Sequence, residues 1–170
     1  MATTTLLSAE EFWSLPEEPG KQELLDGELI SVPPAKLIHL RIIKNLVALL
    51  ETVLPKSRVW SEGGYQLGPR SWLQPDVSVT WPEQPVENDW LQGAPMVAVE
   101  VVSPANRPEH VDKKTAAYLE HGAAEVWVIY PATPSMAVFR KGSWERITMS
   151  YHSNLLGITI DLEGLLAPAE

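Results

Sequence analysis

Three ionisable residues have the types and positions needed for metal-assisted hydrolysis of a phosphodiester bond. Asp76 follows Pro75 at the start of a short apolar run, and Glu100 interrupts the apolar run 96–102. A charge inside a strand-like apolar segment is costly unless a metal or an opposite charge compensates it. Lys114 follows on a predicted helix and could supply a nearby ammonium. The pattern therefore predicts a metal site at which phosphodiesters are cut.

The predicted metal site must use oxygen or imidazole ligands, because the chain contains no cysteine. Asp76 and Glu100 would bind a hard cation, with Mg²⁺ expected and Mn²⁺ as the alternative, and the backbone carbonyl of Val101 is a candidate third ligand. Glu23 could add a ligand or hold a metal-bound water. The metal would polarise the phosphate and activate a water. Lys114 would orient that water or stabilise the charge of the transition state.

Helical geometry distinguishes Lys114 from its neighbour Lys113. The predicted helix 108–121 has an apolar face made of Val111, Thr115, Tyr118 and Leu119. Lys114 flanks this face, whereas Lys113 points nearly opposite to it. Only Lys114 is therefore expected to reach the strand that carries Glu100.

The carboxylates also have purely structural interpretations. Asp76 could be a strand-entry aspartate after proline, and Glu23 could be an ordinary cross-strand residue of a hairpin. Glu100 needs a partner in any interpretation. Its structural alternative is an ion pair with Lys114 or Arg107.

Two further residues are accessory candidates for the site. His39 extends the apolar stripe of a long predicted helix by one turn, which places it at the edge of the core. Tyr118 is expected to pack in the core with its hydroxyl bonded near the site.

Composition and charge limit the possible functions. The 170 residues, of which 45% are hydrophobic and 21% charged, are expected to form one domain spanning 1–170. No apolar run approaches the ~20 residues of a membrane span, and the N-terminus lacks a signal-like pattern, so a soluble cytoplasmic protein is expected. The net charge of −9 argues against a general nucleic-acid coat. A nuclease remains possible if its basic residues line one cleft. The candidates for that lining are Lys36, Arg41, Lys44, Arg58, Arg70, Arg107, Lys113 and Lys114.

The order of predicted elements indicates an α/β (α+β) fold. Ser8 begins a capping box that predicts a short helix, and Asp26-Gly27 predicts the turn of a hairpin over 22–31. A long helix is expected over 37–54. Short strands are expected over 58–61, 65–67, 75–80, 96–102, 126–130, 136–140 and 143–149, with a loop over 81–95. The strand–helix–strand unit around 108–121 implies a parallel crossover.

A larger pattern resembles a known family. It consists of Pro75-Asp76, the run Val99–Pro104, Lys114 with Tyr118, Gly122 and Glu125–Trp127, preceded by Glu23–Leu29 and His39. Over roughly residues 8–166 the chain resembles the Uma-two family of restriction-endonuclease-like proteins, within the PD-(D/E)XK nuclease superfamily. The resemblance implies a mixed sheet flanked by helices, with an N-terminal helix–hairpin and a C-terminal hairpin extension.

The chain departs from the superfamily pattern at one position and from the Uma-two pattern at two others. The superfamily lysine usually lies two residues after the second acid, where this chain has Val102; Lys114 matches the position to which the Uma-two family moves it. His110 stands where that family commonly has an aspartate, and Tyr130 stands where it often has an acid before proline.

The leading functional hypothesis is a Mg²⁺-dependent endonuclease that hydrolyses DNA. One alternative is a catalytically inactive nuclease-fold protein that binds nucleic acid or another protein. Another is a structural or toxin–antitoxin-like regulatory module in which Glu100 and Lys114 form a buried ion pair. By analogy with restriction nucleases, a homodimer is expected, and the apolar C-terminal segment is a candidate for its interface.

Overall fold

A computed structural model describes residues 5–168, which contain four α-helices and fourteen β-strands. The helices are α1 (Ala9–Trp13), α2 (Leu37–Leu50), α3 (Pro108–Glu120) and α4 (Leu162–Leu166). The strands are β1 (Lys21–Leu25), β2 (Glu28–Val32), β3 (Val59–Ser61), β4 (Tyr65–Gly68), β5 (Ser71–Leu73), β6 (Val77–Val79), β7 (Val86–Glu87), β8 (Trp90–Gln92), β9 (Val97–Val101), β10 (Glu125–Tyr130), β11 (Ser135–Arg140), β12 (Ser143–Ile147), β13 (Ser150–Ser153) and β14 (Ile158–Asp161).

The strands form two six-stranded mixed sheets and a separate hairpin. The first sheet has the order β2-β1-β5-β4-β8-β7, the second has the order β12-β11-β10-β9-β6-β3, and β13 pairs with β14. Strands β9 and β10 are parallel and are connected through α3, as the strand–helix–strand pattern predicts. Helices flank these sheets, in agreement with the predicted fold class. Within residues 5–168, no helix is long and apolar enough to cross a membrane.

The central strands of the second sheet are buried on both faces, and their alternate residues enter two different cores. Val97, Val99 and Val101 pack into a core that contains α2, α4 and the β13–β14 hairpin, whereas Ala98 packs into a core shared with α3 and the first sheet. Because successive side chains of a strand point to opposite faces, Glu100 lies on the same face as Ala98. The continuous apolar run is therefore explained by a strand buried on both sides.

The register of β6 and β9 brings the two predicted carboxylates together. The strands are antiparallel, and Val77 pairs with Val99. Continuing this register by one residue puts Asp76 opposite Glu100. Directly opposed residues of an antiparallel pair have side chains on one face and within contact distance. The sheet therefore places both carboxylates between the second sheet and the elements that cover it.

Three local predictions differ from the structure. Helix α2 ends at Leu50 instead of Leu54, and Val53, beyond the end of the helix, is half-exposed. The amide N–H groups of Thr52 and Val53 donate to carbonyls three residues earlier, so the chain tightens into a turn ahead of Pro55. Strand β5 was not predicted, and the predicted loop 81–95 contains β7 and β8. These strands of two or three residues are too short to show an alternating pattern.

The packing of α2 against the second sheet gives a stability prediction. Leu46 is fully buried in the core on that face, whereas Leu37 at the start of the same helix is 70% exposed. Leu46→Ala is expected to lower the free energy of unfolding by about 2–5 kcal/mol, because it leaves a cavity in a packed core. Leu37→Ala is the control and should change it by less than about 0.5 kcal/mol. Urea unfolding of the variants measures both values, and equal losses would contradict this packing.

Candidate active site

The four residues singled out from the sequence line one cleft of about 1240 Å³. Strand β1 supplies Glu23, the residue before β6 is Asp76, strand β9 supplies Glu100 and helix α3 supplies Lys114. All four residues are at most 7% exposed. Charged residues are almost never this deeply buried unless they are paired. Their pairing therefore defines the site.

Lys114 lies between two carboxylates. Its Nζ is 2.9 Å from Glu23 Oε2 and 2.6 Å from Glu100 Oε1. The adjacent Lys113 is 56% exposed at its side chain and lies 3.7 Å from Glu28 on the surface. The structure thus separates the two lysines in the direction that the helical wheel predicts.

Asp76 is surrounded by donors on both of its oxygens. Its Oδ1 lies 3.0 Å from Lys21 Nζ and 3.2 Å from His39 Nε2. Its Oδ2 accepts a 2.7 Å hydrogen bond from the backbone N–H of Val101. The Lys21 ammonium also donates to the carbonyl oxygen of Gln74 at 3.0 Å. The accessory candidate His39 is therefore in contact with the site.

Two further hydrogen bonds fix the other carboxylates. The buried Tyr118 hydroxyl donates to Glu100 Oε1 at 2.9 Å. The backbone N–H of Gln74 donates to Glu23 Oε1 at 2.7 Å. Glu23 thus uses one oxygen for Lys114 and the other for the chain segment that leads into Asp76.

The cleft moves the pKa values of the two facing carboxyl groups in opposite directions. Burial raises the pKa of Glu100, and the charges of Asp76 and Glu23 add to this effect, so the Lys114 ammonium does not reverse it. Burial also acts to raise the pKa of Asp76, but the hydrogen bond from His39 and the charge of Lys21 outweigh it and hold that pKa below its ordinary value. Asp76 is therefore held in its ionised form, whereas the burial of Glu100 makes it ionise less readily than an ordinary glutamate.

The ammonium of Lys114 is held in its charged form. Burial alone lowers its pKa, but the charges of Glu100 and Glu23 outweigh burial and raise the pKa above the ordinary lysine value. The same negative charges, together with burial, raise the pKa of Tyr118 well above its ordinary value. Both groups are therefore donors at neutral pH.

The donor set at Asp76 and Glu100 fits a hard divalent cation. Within residues 5–168, no group of three or more His, Cys, Asp or Glu side chains is arranged to hold a metal. Mg²⁺ does not require such a group, because it is commonly held by one or two carboxylates and keeps several waters. The N–H of Val101 points to Asp76, and the N–H and C=O of a strand residue are directed to the same side. The Val101 carbonyl is therefore directed to the same side of β9 as Asp76.

The basic lining of the cleft differs from the prediction. Of the eight predicted residues, Lys36, Arg107 and Lys114 line it, whereas Arg41, Lys44, Arg58, Arg70 and Lys113 do not. Lys21 and His110 were not among the predicted residues and also line it. Lys21 could have been found from spacing, because residues 21, 23 and 25 of β1 share one face and Leu25 lies in the core beside α3.

The fold is that of a solved nuclease-like structure. The chain matches a crystal structure described as "a putative nuclease belonging to DUF820" from Anabaena variabilis ATCC 29413, with a TM-score of 0.84 and 23% sequence identity. The match covers 94% of this chain and 97% of that chain. A comparison with curated proteins finds no significant match.

The sequence also matches a family described as "Putative restriction endonuclease", Uma2, over residues 9–167. The chain belongs to this family. The resemblance seen in the sequence is therefore confirmed over nearly its whole length.

The low pKa of Asp76 predicts how its contribution to stability depends on pH. Its folded pKa lies below the ordinary 3.8, so the stability that it contributes is complete above about pH 4 and is lost as the pH falls toward the folded pKa. Asp76→Asn is expected to be about 3 kcal/mol less stable than wild type at pH 7, because Lys21 loses its partner. At pH 3 the difference should be smaller. Urea unfolding at both pH values measures it.

The exposed Asp112 provides the control for this measurement, since Asp112→Asn should have little effect at either pH. A difference between wild type and Asp76→Asn that is the same at pH 7 and pH 3 would contradict the assigned role of Asp76.

Proposed function

We propose that this protein is a metal-dependent endonuclease that hydrolyses phosphodiester bonds in DNA. The observation that carries the proposal is the facing pair Asp76 and Glu100, buried in a cleft beside the ammonium of Lys114. Membership of the restriction endonuclease family supports the same class of reaction. Two carboxylates from adjacent strands with a nearby lysine form a suitable arrangement for metal-assisted displacement at phosphorus.

In the proposed mechanism, Asp76, Glu100 and the backbone carbonyl of Val101 hold Mg²⁺ or Mn²⁺. When bound, the metal would supply Lewis-acid activation of the phosphate and of a water. The N–H of Val101 fixes the orientation of Asp76, and the hydroxyl of Tyr118 fixes that of Glu100. The carboxylates are thus preorganised, which reduces the reorganisation needed when substrate binds.

Lys114 is the proposed catalytic cation. Its charged ammonium would stabilise the negative charge that develops on the phosphoryl oxygens in the transition state. Glu23 would act as a positioning residue for Lys114, because its Oε2 lies 2.9 Å from the Lys114 Nζ while its Oε1 is fixed by the Gln74 N–H.

DNA as the substrate rests on the family and on the local charge of the cleft. Although the chain has a net charge of −9, Lys21, Lys36, Arg107 and Lys114 all line the same cleft. Glu23, Glu28, Glu62, Asp76 and Glu100 line the same cleft, so these cations would attract phosphate together with a bound metal that offsets the carboxylates. The acidic remainder of the surface favours the alternative of a nuclease-fold module that does not cut, and the cleavage test below distinguishes the two.

Cytoplasmic location and homodimeric assembly remain predictions. The C-terminal helix does not offer its main apolar residues for a dimer interface, because Leu162 and Leu165 are buried in the core next to α2. In the same C-terminal segment, Leu155 is 41% exposed and is the residue that a homodimer interface there would use.

Cleavage of supercoiled plasmid and of single-stranded DNA tests the proposal. Wild type is expected to nick or linearise DNA in the presence of Mg²⁺ or Mn²⁺ and to lose this activity in EDTA. Asp76→Asn and Glu100→Gln should each lower the rate by at least about 100-fold, because each removes a ligand charge. Circular dichroism of each variant checks that the fold is retained. If folded wild type cuts no DNA under these conditions, the non-cutting alternative is correct.

The two adjacent lysines give a matched pair for the proposed catalytic cation. Lys114→Met should lower the cleavage rate by about 100- to 1000-fold, because it removes charge stabilisation of the transition state. Lys113→Met removes the same charge from the exposed face of α3 and should cut at the wild-type rate. Single-turnover rates at saturating metal measure the effect, and similar rates for both variants would show that Lys114 is not catalytic.

A further inference from the structure

Lys21 is a second ammonium in the cleft, and it contacts Asp76, whereas Lys114 contacts Glu23 and Glu100. Its Nζ contacts Asp76 Oδ1 and the Gln74 carbonyl oxygen, both at 3.0 Å, and its side chain is only 14% exposed. A surface lysine moves freely between partners, but this side chain is held at two points. Lys21 is therefore the built-in counter-ion of Asp76.

Lys21 keeps its charge in this position. Burial alone would lower its pKa, but the negative charges of Asp76, Glu23 and Glu100 outweigh burial and raise the pKa above the ordinary lysine value. A cation bound by Asp76 must therefore share the carboxylate with a fixed positive charge. At separations of a few ångströms, such like charges repel each other substantially even in a partly solvated site.

The net charge of the ion-paired groups in the cleft changes sign when a divalent cation binds. In their charged forms, the three paired carboxylates (Glu23, Asp76 and Glu100) and the two ammoniums (Lys21 and Lys114) are together one unit negative without metal. A divalent cation would turn this into one unit of positive charge. One phosphodiester, which carries a single negative charge, would return these groups to neutrality. His39 Nε2 faces the same Asp76 oxygen as Lys21, at 3.2 Å.

We infer that Lys21 makes metal binding depend on the substrate phosphate, by competing for Asp76 in the free protein and compensating the phosphodiester in the complex. This inference rests on the proposed function. Coupling between two ligands is reciprocal, so phosphate strengthens metal binding by the same factor by which metal strengthens phosphate binding. The consequence is a nuclease that is poorly loaded with metal until nucleic acid occupies the cleft.

The experiment measures Mn²⁺ binding by electron paramagnetic resonance of the free ion, without and with a DNA oligonucleotide. A phosphorothioate oligonucleotide keeps one negative charge at each linkage, whereas a methylphosphonate oligonucleotide of the same sequence is uncharged. For wild type, the charged oligonucleotide should tighten Mn²⁺ binding by about tenfold, a typical allosteric coupling. The uncharged oligonucleotide should leave it unchanged.

Substitution of Lys21 should remove the competition and the coupling together. Lys21→Met should bind Mn²⁺ alone about tenfold more tightly than wild type, because the repelling charge is gone. In this variant the charged oligonucleotide should tighten Mn²⁺ binding by less than about threefold, since less positive charge remains for it to compensate. Lys21→Arg retains the charge and should behave like wild type. Lys113→Met removes a charge outside the cleft and should also behave like wild type.

Thermal unfolding checks that each variant is folded before binding is measured. If Lys21→Met does not fold, Lys21→Gln replaces it, because its amide can still donate to the Gln74 carbonyl. Equal Mn²⁺ affinities for wild type and the uncharged variant would overturn the role of Lys21, while plasmid cleavage by wild type would leave the proposed function intact. Wild type that neither binds Mn²⁺ nor cuts DNA would overturn both.

Discussion

The buried charge network between the two sheets is the constraint on which the arrangement of the chain depends. A carboxylate as deeply buried as Glu23, Asp76 or Glu100 would be very costly if it were isolated. Each of them is therefore paired with an ammonium that belongs to another element of the fold. Helix α3 must dock so that Lys114 reaches both glutamates, and β1 must approach so that Lys21 reaches Asp76. Such pairs add little net stability, but they exclude packings that leave a charge unpaired. The same ion pairs therefore form the site and restrict how the elements pack against one another.

Much of the site could be predicted because it depends on local periodicity. The twofold alternation of a strand and the 3.6-residue period of a helix decide which side chains share a face. These rules select Glu100 within its apolar run and Lys114 over Lys113. They also contain the signal for Lys21, which lies two residues before Glu23 on the same strand. That signal was missed because lysine at a strand end normally extends into solvent.

The rest of the fold could not be predicted because it depends on contacts between distant segments. The order of the first sheet places β5 between β1 and β4, and three residues of β5 carry too little pattern to reveal this. The same holds for the parallel pairing of β4 with β8. At Gly64, an added Cβ would lie 2.5 Å from the Trp72 ring, so the turn before β4 requires a residue without a side chain. The sequence shows the glycine at this position but does not show that the Trp72 ring packs against it.

The contact between Glu23 and Lys114 joins residues 91 positions apart, so it can form only after the segment between them has been synthesised. During translation, the N-terminal hairpin leaves the ribosome well before α3 does. Until α3 arrives, Glu23 has no ammonium to accompany it into a dry environment and remains hydrated. Closing such a distant contact is slow compared with forming a helix or a hairpin. A chain that ends before α3 therefore cannot contain the assembled cleft, and the contact between Glu23 and Lys114 forms only after α3 has been synthesised.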